Sequence, residues 1–197
     1  MLFDLGGKDE VLLDPHPLSS DHTVSQGLVA VSDDGKLVAY GTRQGGEDER
    51  VIEFLEVEGR RRRADRLPKG HYFSFDFTPD NSGLYYSKFT PAGSRVYYHA
   101  MAADPASDRE IFGAGFGPQH IISTDLSSDG RYLVIQVAYG AGGKRTDVYF
   151  QDLAAKGPVT PIVNDTEAVF TGRIAGDRMF LYTNWKEIGR ASCRERV

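Results

Sequence analysis

Catalysis or metal binding needs side chains of the right type at a fixed spacing, and histidine is the first residue to look for. This chain has five: His16, His22, His71, His99 and His120. None stands three or four residues from another, and no carboxylate cluster accompanies them at the spacing of a metal site. His99, in Tyr97-Tyr98-His99, reads as a packed strand residue. Two glycine-rich stretches could cradle a phosphate, Gly113-Ala114-Gly115-Phe116-Gly117 and Gly140-Ala141-Gly142-Gly143-Lys144. A phosphate loop needs a helix behind it to aim its N–H groups. Strand-like residues follow both stretches, so both read as loops. Asp-x-Asp calcium loops with a downstream Glu are missing. So is Gly-x-Ser-x-Gly, the elbow of an α/β-hydrolase nucleophile. The residue types therefore predict no catalytic group, no metal site and no cofactor.

The elements are more informative than the isolated residues. Asp33-Asp34-Gly35, Pro79-Asp80-Asn81-Ser82-Gly83 and Ser128-Asp129-Gly130 are each followed at once by an apolar or aromatic run. A fourth copy opens at Gly176-Asp177-Arg178. Gly35, Gly83 and Gly130 stand 48 and 47 residues apart. A period of roughly 40–50 residues made only of strands marks a propeller. Each unit divides into four short strands at turn residues. The expected strands are 27–31, 37–42, 51–57 and 64–67; 72–77, 84–89, 95–101 and 110–112; 121–126, 132–138, 146–153 and 161–163; then 169–174 and 179–184. The Asp-Gly pairs predict tight two-residue hairpins with both central residues at positive φ. The second strand of each unit is apolar on both faces, as a strand covered on both sides must be. No segment sustains a 3.6-residue apolar stripe, so helix content should be very low.

The fold class expected is all-β: a β-propeller fragment of about three and a half four-stranded antiparallel blades in an open ring. Residues 1–24 are expected to hold the end of a preceding blade and a linker, with Val11-Leu12-Leu13-Asp14-Pro15 as its last strand. Blades follow at 25–68, 69–117 and 118–165, and a partial blade at 166–186. Residues 187–197 break the pattern, turning small and arginine-rich. Back-translated, they resemble a short-read sequencing adapter in frame, and they are set apart from the blades as an artefact-like tail. Ser192 is accordingly not read as a nucleophile.

Bulk composition narrows the partners. A net charge of −5 disfavours nucleic acid. The one basic cluster, Arg60-Arg61-Arg62-Arg63, has Glu53, Glu56 and Glu58 around it and reads as a solvated hairpin turn. No apolar run approaches the ~20 residues that span a bilayer, so no membrane partner is expected. Met1–Leu5 lacks the layout of a signal peptide, which leaves cytoplasm and periplasm equally open. Cys193 is the single cysteine, so neither an internal disulfide nor a cysteine zinc site can form.

Several stretches together resemble the N-terminal propeller of the prolyl oligopeptidase family of serine peptidases. They are Val11-Leu12-Leu13-Asp14-Pro15 with Leu18-Ser19-x-Asp21-x-Thr23; Val31-Ser32-x-Asp34-Gly35-Lys36-Leu37-Val38-Ala39-Tyr40-Gly41; Gly83-Leu84-Tyr85-Tyr86-Ser87; Val96-Tyr97-Tyr98-His99; Leu126-Ser127-x-Asp129-Gly130-Arg131-Tyr132-Leu133; and Thr183-Asn184. The resemblance spans Asp9 to about Lys186. It implies a seven-bladed propeller that caps an α/β-hydrolase domain with a Ser-Asp-His triad and restricts access to short peptides cut after proline. The hydrolase domain and the triad are not among these residues, so the fragment itself is expected to be inactive. Its partners are then short peptide substrates, reached through the parent enzyme, and the hydrolase domain of the same chain. One role carries over: Phe73, in Phe73-Ser74-Phe75, matches a family position where an aromatic lines a substrate subsite. Blade core is the competing reading of Phe73. The alternative function is a non-enzymatic propeller scaffold for protein–protein contacts, of the periplasmic translocation-associated type with similar Asp-Gly-Lys turns.

Overall fold

The computed structural model describes Gly7, residues 10–186 and the backbone of 191–196. Among these residues regular structure is strand, apart from three single-turn 3₁₀ segments. The first sheet is β1 (Val24–Val31), β2 (Leu37–Gln44), β3 (Arg50–Glu56) and β4 (Arg61–Gly70). The second is β5 (Tyr72–Phe77), β6 (Gly83–Thr90), β7 (Gly93–Ala100) and β8 (Arg109–Phe112). The third is β9 (His120–Leu126), β10 (Tyr132–Tyr139), β11 (Thr146–Asp152) and β12 (Thr160–Val163). All three are antiparallel meanders in chain order. A last sheet holds β13 (Phe170–Ala175), β14 (Arg178–Thr183) and β15 (Ala191–Arg196). The first strand of each sheet lies beside the first strand of the next, β1 by β5, β5 by β9 and β9 by β13. That is the fan of a propeller, and no sheet closes on itself.

Side-chain alternation builds the seams between sheets. On β2, Leu37 and Ala39 face the second sheet, where they meet Tyr72, Leu84 and Tyr86 together with Ile52, Phe54 and Leu67. Val38 and Tyr40 point the other way, onto Leu12 and Leu13. On β6, Leu84 and Tyr86 serve the first seam, while Tyr85 turns to Ile122, Leu133, Ile135 and Val137 of the third sheet. On β10, Val134 faces Phe170, Met179 and Leu181 of the last sheet. β6 and β10 thus carry apolar residues on both faces because each is shared by two seams, and β2 because Leu12 and Leu13 cover its outer face. Burying one such side chain contributes about 1.5–3 kcal/mol.

The turns differ from the expectation. Between β1 and β2 the link is five residues, and only Gly35 has positive φ, at 69°. Ser32 Oγ donates to Asp34 Oδ1 (2.7 Å) and accepts from the Leu37 N–H (2.9 Å). Asp34 Oδ1 also takes the Lys36 N–H at 3.0 Å. Ser127 and Asp129 repeat this wiring in the third sheet, with Gly130 at φ 72°. In the second, Thr78 and Asp80 repeat it, with Asn81 taking the left-handed place at φ 56°. The aspartate works as an acceptor that closes a side-chain turn, not as a residue of positive φ. Of the links between first and second strands, the one at Gly176-Asp177 is two residues long; Pro91-Ala92 makes another two-residue link between β6 and β7.

These turns also touch one another. Asn81 Nδ2 donates to both carboxylate oxygens of Asp34 at 3.1 Å. A Cβ on Gly130 would stand 2.7 Å from Pro79 Cδ. The hydrogen bonds hold the turn carboxyls below the usual range: Asp34 chiefly through the Lys36 N–H, Asp80 through Thr78, to about 2, and Asp129 through Ser127.

Two chain segments need separate mention. Residues 11–15 form no strand, though Leu12 and Leu13 pack on the outer face of the first sheet. Ala191–Arg196 runs antiparallel to β14, from Thr183↔Ala191 to Arg178↔Arg196. A free strand edge offers N–H and C=O groups to any extended segment. The pairing therefore carries no information about whether residues 187–197 belong to the repeat. Residues 1–6, 8, 9, 187–190 and 197 lie outside the described residues.

Candidate substrate-facing cleft

Phe73 sits on β5 at an irregularity in pairing. Tyr72 stands opposite Lys88 and Ser74 opposite Ser87, so Phe73 is the extra residue of a bulge. A bulge re-aims its side chain out of the strand's alternation. Phe75 and Phe77 pack against the first seam. Phe73 joins none of the buried clusters and stays half-buried. Its ring lies 4.9 Å from that of His71. With Phe89, Pro118, Gln119, Ile121, Gly140 and Ala141 the two line a cleft of about 380 Å³ between the second and third sheets. That volume is in the range of small-ligand clefts.

The chain's own hydrogen bonds build the cleft walls. The Phe89 N–H donates to the His71 carbonyl at 2.7 Å, and the Gly140 N–H to that of Gln119 at 2.9 Å. Gly113 and Gly93 permit the close approach of the adjoining loop. A Cβ on Gly93 would meet the Phe116 carbonyl oxygen at 2.6 Å, and one on Gly113 the Ser94 oxygen at 2.6 Å. The glycine-rich stretch 113–117 is thus the connection between the second and third sheets. The stretch at 140–143 joins β10 to β11. The cleft opens where β5 and β9 begin, away from the Ser/Thr-x-Asp turns at their far ends.

A larger cleft, about 620 Å³, lies by those turns, lined by Lys36, Glu56, Glu58, Arg61, Arg63 and Asn81. Here the arginine run meets its counter-charges. Lys36 pairs with Asp34, Arg61 and Arg63 with Glu56, and Arg60 with Glu10. Arg60 ends the turn; Arg61–Arg63 begin β4.

Sequence spacing could not place two carboxylates beside His99. Its fully buried ring has Nδ1 2.7 Å from Asp108 Oδ1 and Nε2 3.5 Å from Asp65 Oδ1. Asp108 also accepts from the Tyr86 hydroxyl at 2.8 Å; burial, and then this bond, push that hydroxyl well above the usual phenol value. Asp65 accepts from the Ala102 N–H and, at 3.2 Å, from Arg63 Nε. The group ties β4 of the first sheet to β7 of the second. No group of three or more His, Cys, Asp or Glu that could hold a metal occurs among the described residues. Nor is any helix among them long and apolar enough to cross a membrane. Asp76 was also missed. Its signal was an acid between two aromatics in Phe75-Asp76-Phe77.

Comparison with known proteins identifies the fold's relatives. A family model described as the prolyl oligopeptidase N-terminal β-propeller domain matches residues 3–189. A prolyl endopeptidase of Elizabethkingia meningoseptica is 29% identical over 92% of this chain, and one of Elizabethkingia miricola 30% identical over 92%. In each case the chain spans 27% of the relative's length. Among solved structures, a chain from a study of inter-domain dynamics in two prolyl endopeptidases superposes with TM-score 0.88 at 28% identity. That match covers 96% of this chain and 29% of the other. Prolyl oligopeptidase B of Galerina marginata shares the fold, with TM-score 0.77 at 21% identity, over 92% of this chain and 28% of the other. The chain belongs to the prolyl oligopeptidase family and forms part of its N-terminal β-propeller domain.

Proposed function

We propose that this chain is part of the substrate-gating wall of a serine peptidase that hydrolyses short proline-containing peptides. Its contribution is steric. Sheets fanned around an axis leave a passage that admits short peptides, turns away folded proteins and keeps bulk water from the chemistry. Bond cleavage belongs to an α/β-hydrolase domain supplied by the rest of the polypeptide, and the 197-residue chain alone is inactive. Phe73 lines a subsite for a peptide side chain. The observation that carries this reading is the bulge that takes Phe73 out of the core and into an apolar cleft.

The test uses the whole enzyme with Phe73→Ala. Subsite loss raises KM for proline-containing peptides while the unfolding midpoint stays in place. An unchanged KM with a lowered midpoint would return Phe73 to the core. Incubating the isolated chain with a chromogenic proline peptide should release nothing; cleavage would overturn the assignment of chemistry to another domain.

A further inference from the structure

β5 and β9 run side by side as first strands of neighbouring sheets, without a main-chain ladder between them. Side chains take the ladder's place. The Thr124 N–H donates to Ser74 Oγ at 3.0 Å, and the Leu126 N–H to Asp76 Oδ1 at 3.4 Å. Residues two apart on β9 are thus held by residues two apart on β5. The hydroxyls continue the contact, with Thr124 Oγ1 2.8 Å from Ser74 Oγ and 2.5 Å from Asp76 Oδ2. Ser74 Oγ also lies 2.9 Å from Ser87 Oγ on β6.

Among the described residues, no cation pairs directly with Asp76. Arg173 on β13 reaches toward it, but its Nη1 is 2.5 Å from Asp125 Oδ1 on β9. The groups around Asp76 are therefore Thr124, the Leu126 N–H, Asp125 with its Arg173, and Tyr85, the cross-strand partner on β6. Burial between two sheets makes charging Asp76 costly, and Asp125 adds to that cost, while the bonds from Thr124 and the Leu126 N–H and the nearby Arg173 offset part of it.

We propose that Asp76 is a proton-sensitive stitch: protonated, it holds the inner edges of the second and third sheets together, and ionised, it loosens them. The proton moves between solvent and Asp76 Oδ2. With the proton on, the carboxyl donates to Thr124 Oγ1, whose own proton turns from Asp76 Oδ2 to Ser74 Oγ, and it still accepts from the Leu126 N–H. With it off, the carboxylate draws water into the seam. Burial pushes the Asp76 carboxyl up, against the pull of Thr124 and the Leu126 N–H. A raised folded value makes the stitch complete below the unfolded carboxyl value of about 4 and progressively lost as pH rises through the folded one.

Amide hydrogen exchange on this chain, corrected for intrinsic rates, reads the stitch at Thr124 and Leu126. Between about pH 4 and about pH 8, protection at Leu126 should fall in the unmodified chain and stay level in Asp76→Asn. Ser74→Ala should lower protection at Thr124 at every pH while keeping the slope at Leu126, which separates the titrating group from general seam packing. A level profile in the unmodified chain, or the same slope in Asp76→Asn, overturns the proposal.

Discussion

The first and second seams of this propeller solve one problem in different ways. Both press an apolar face of one sheet on the next. The first buries three rings, Phe54, Tyr72 and Tyr86, among its aliphatic residues; the second buries one, Tyr85, beside Val96, Ile122, Leu133, Ile135 and Val137. Each seam has a side-chain bond from a third strand to the next sheet's first strand, Arg50 Nη2 to the Tyr72 carbonyl at 3.1 Å and Ser94 Oγ to the His120 carbonyl at 3.0 Å, but the remaining polar ties are placed differently. The first seam is fastened at its outer strands by Asp65 and His99 and at its turns by Asp34 and Asn81. Among the described residues, none of its hydrogen bonds joins β1 to β5. The second is fastened at its inner strands by Ser74, Asp76 and Thr124. Packing area sets how strongly two sheets adhere; polar ties set where they part first.

The sharpest way to break this comparison is to empty one seam. Phe54→Ala removes a fully buried ring from the first seam and should cost about 3–5 kcal/mol in urea unfolding. It should leave exchange at Thr124 untouched if the seams are independent. Next, Asp65→Ala strands the Ala102 N–H and Arg63, at a cost of about 1–3 kcal/mol by the same assay. A smaller loss, about 0.5–1.5 kcal/mol, is expected for Ser74→Ala in the second seam. A larger loss for Ser74 than for Asp65 would reverse the assignment of the stronger polar tie to the first seam.

Acidity sharpens the contrast further, because Asp76 in the second seam is shifted up while the turn aspartates, and Asp65 in the first seam, are shifted down. The folded values of Asp34, Asp80 and Asp129 are lowered, so the stability they supply is present above about pH 4 and lost as pH falls through those values, about 2 for Asp80. Thr78→Val removes the largest cause at Asp80. A carboxyl NMR titration should then show Asp80 moving up toward about 4 with Asp129 unmoved.

Much of the fold was legible because the repeat is written in local chemistry. Strands recur at a fixed period; residues 84–89 and 132–138 are apolar on both faces because each run serves two seams, and residues 37–42 because Leu12 and Leu13 cover their outer face. The turn conformation was misread because Asp-Gly in isolation favours two residues at positive φ. Ser32, Thr78 and Ser127, five residues before the next strand's first donor, decide the actual geometry. The expectation for Phe73 came from resemblance; its bulge was not legible, since nothing in Tyr72-Phe73-Ser74 marks a skipped partner. The carboxylates around His99 were illegible for a different reason. Asp65 lies 34 residues before it on another sheet, and only the fan brings them together.

The contacts from turn to turn have a consequence for how such a chain can change length. Asp34 is gripped by Asn81, and Gly130 is seated against Pro79, so each turn gauges the position of its neighbour. One residue inserted between Ser32 and Leu37 would unwire its own turn and unseat the next. An insertion at 141–143 disturbs no such gauge. Growth and loss of residues over time should accumulate in the connections between second and third strands, while the first connection of every repeat keeps its count.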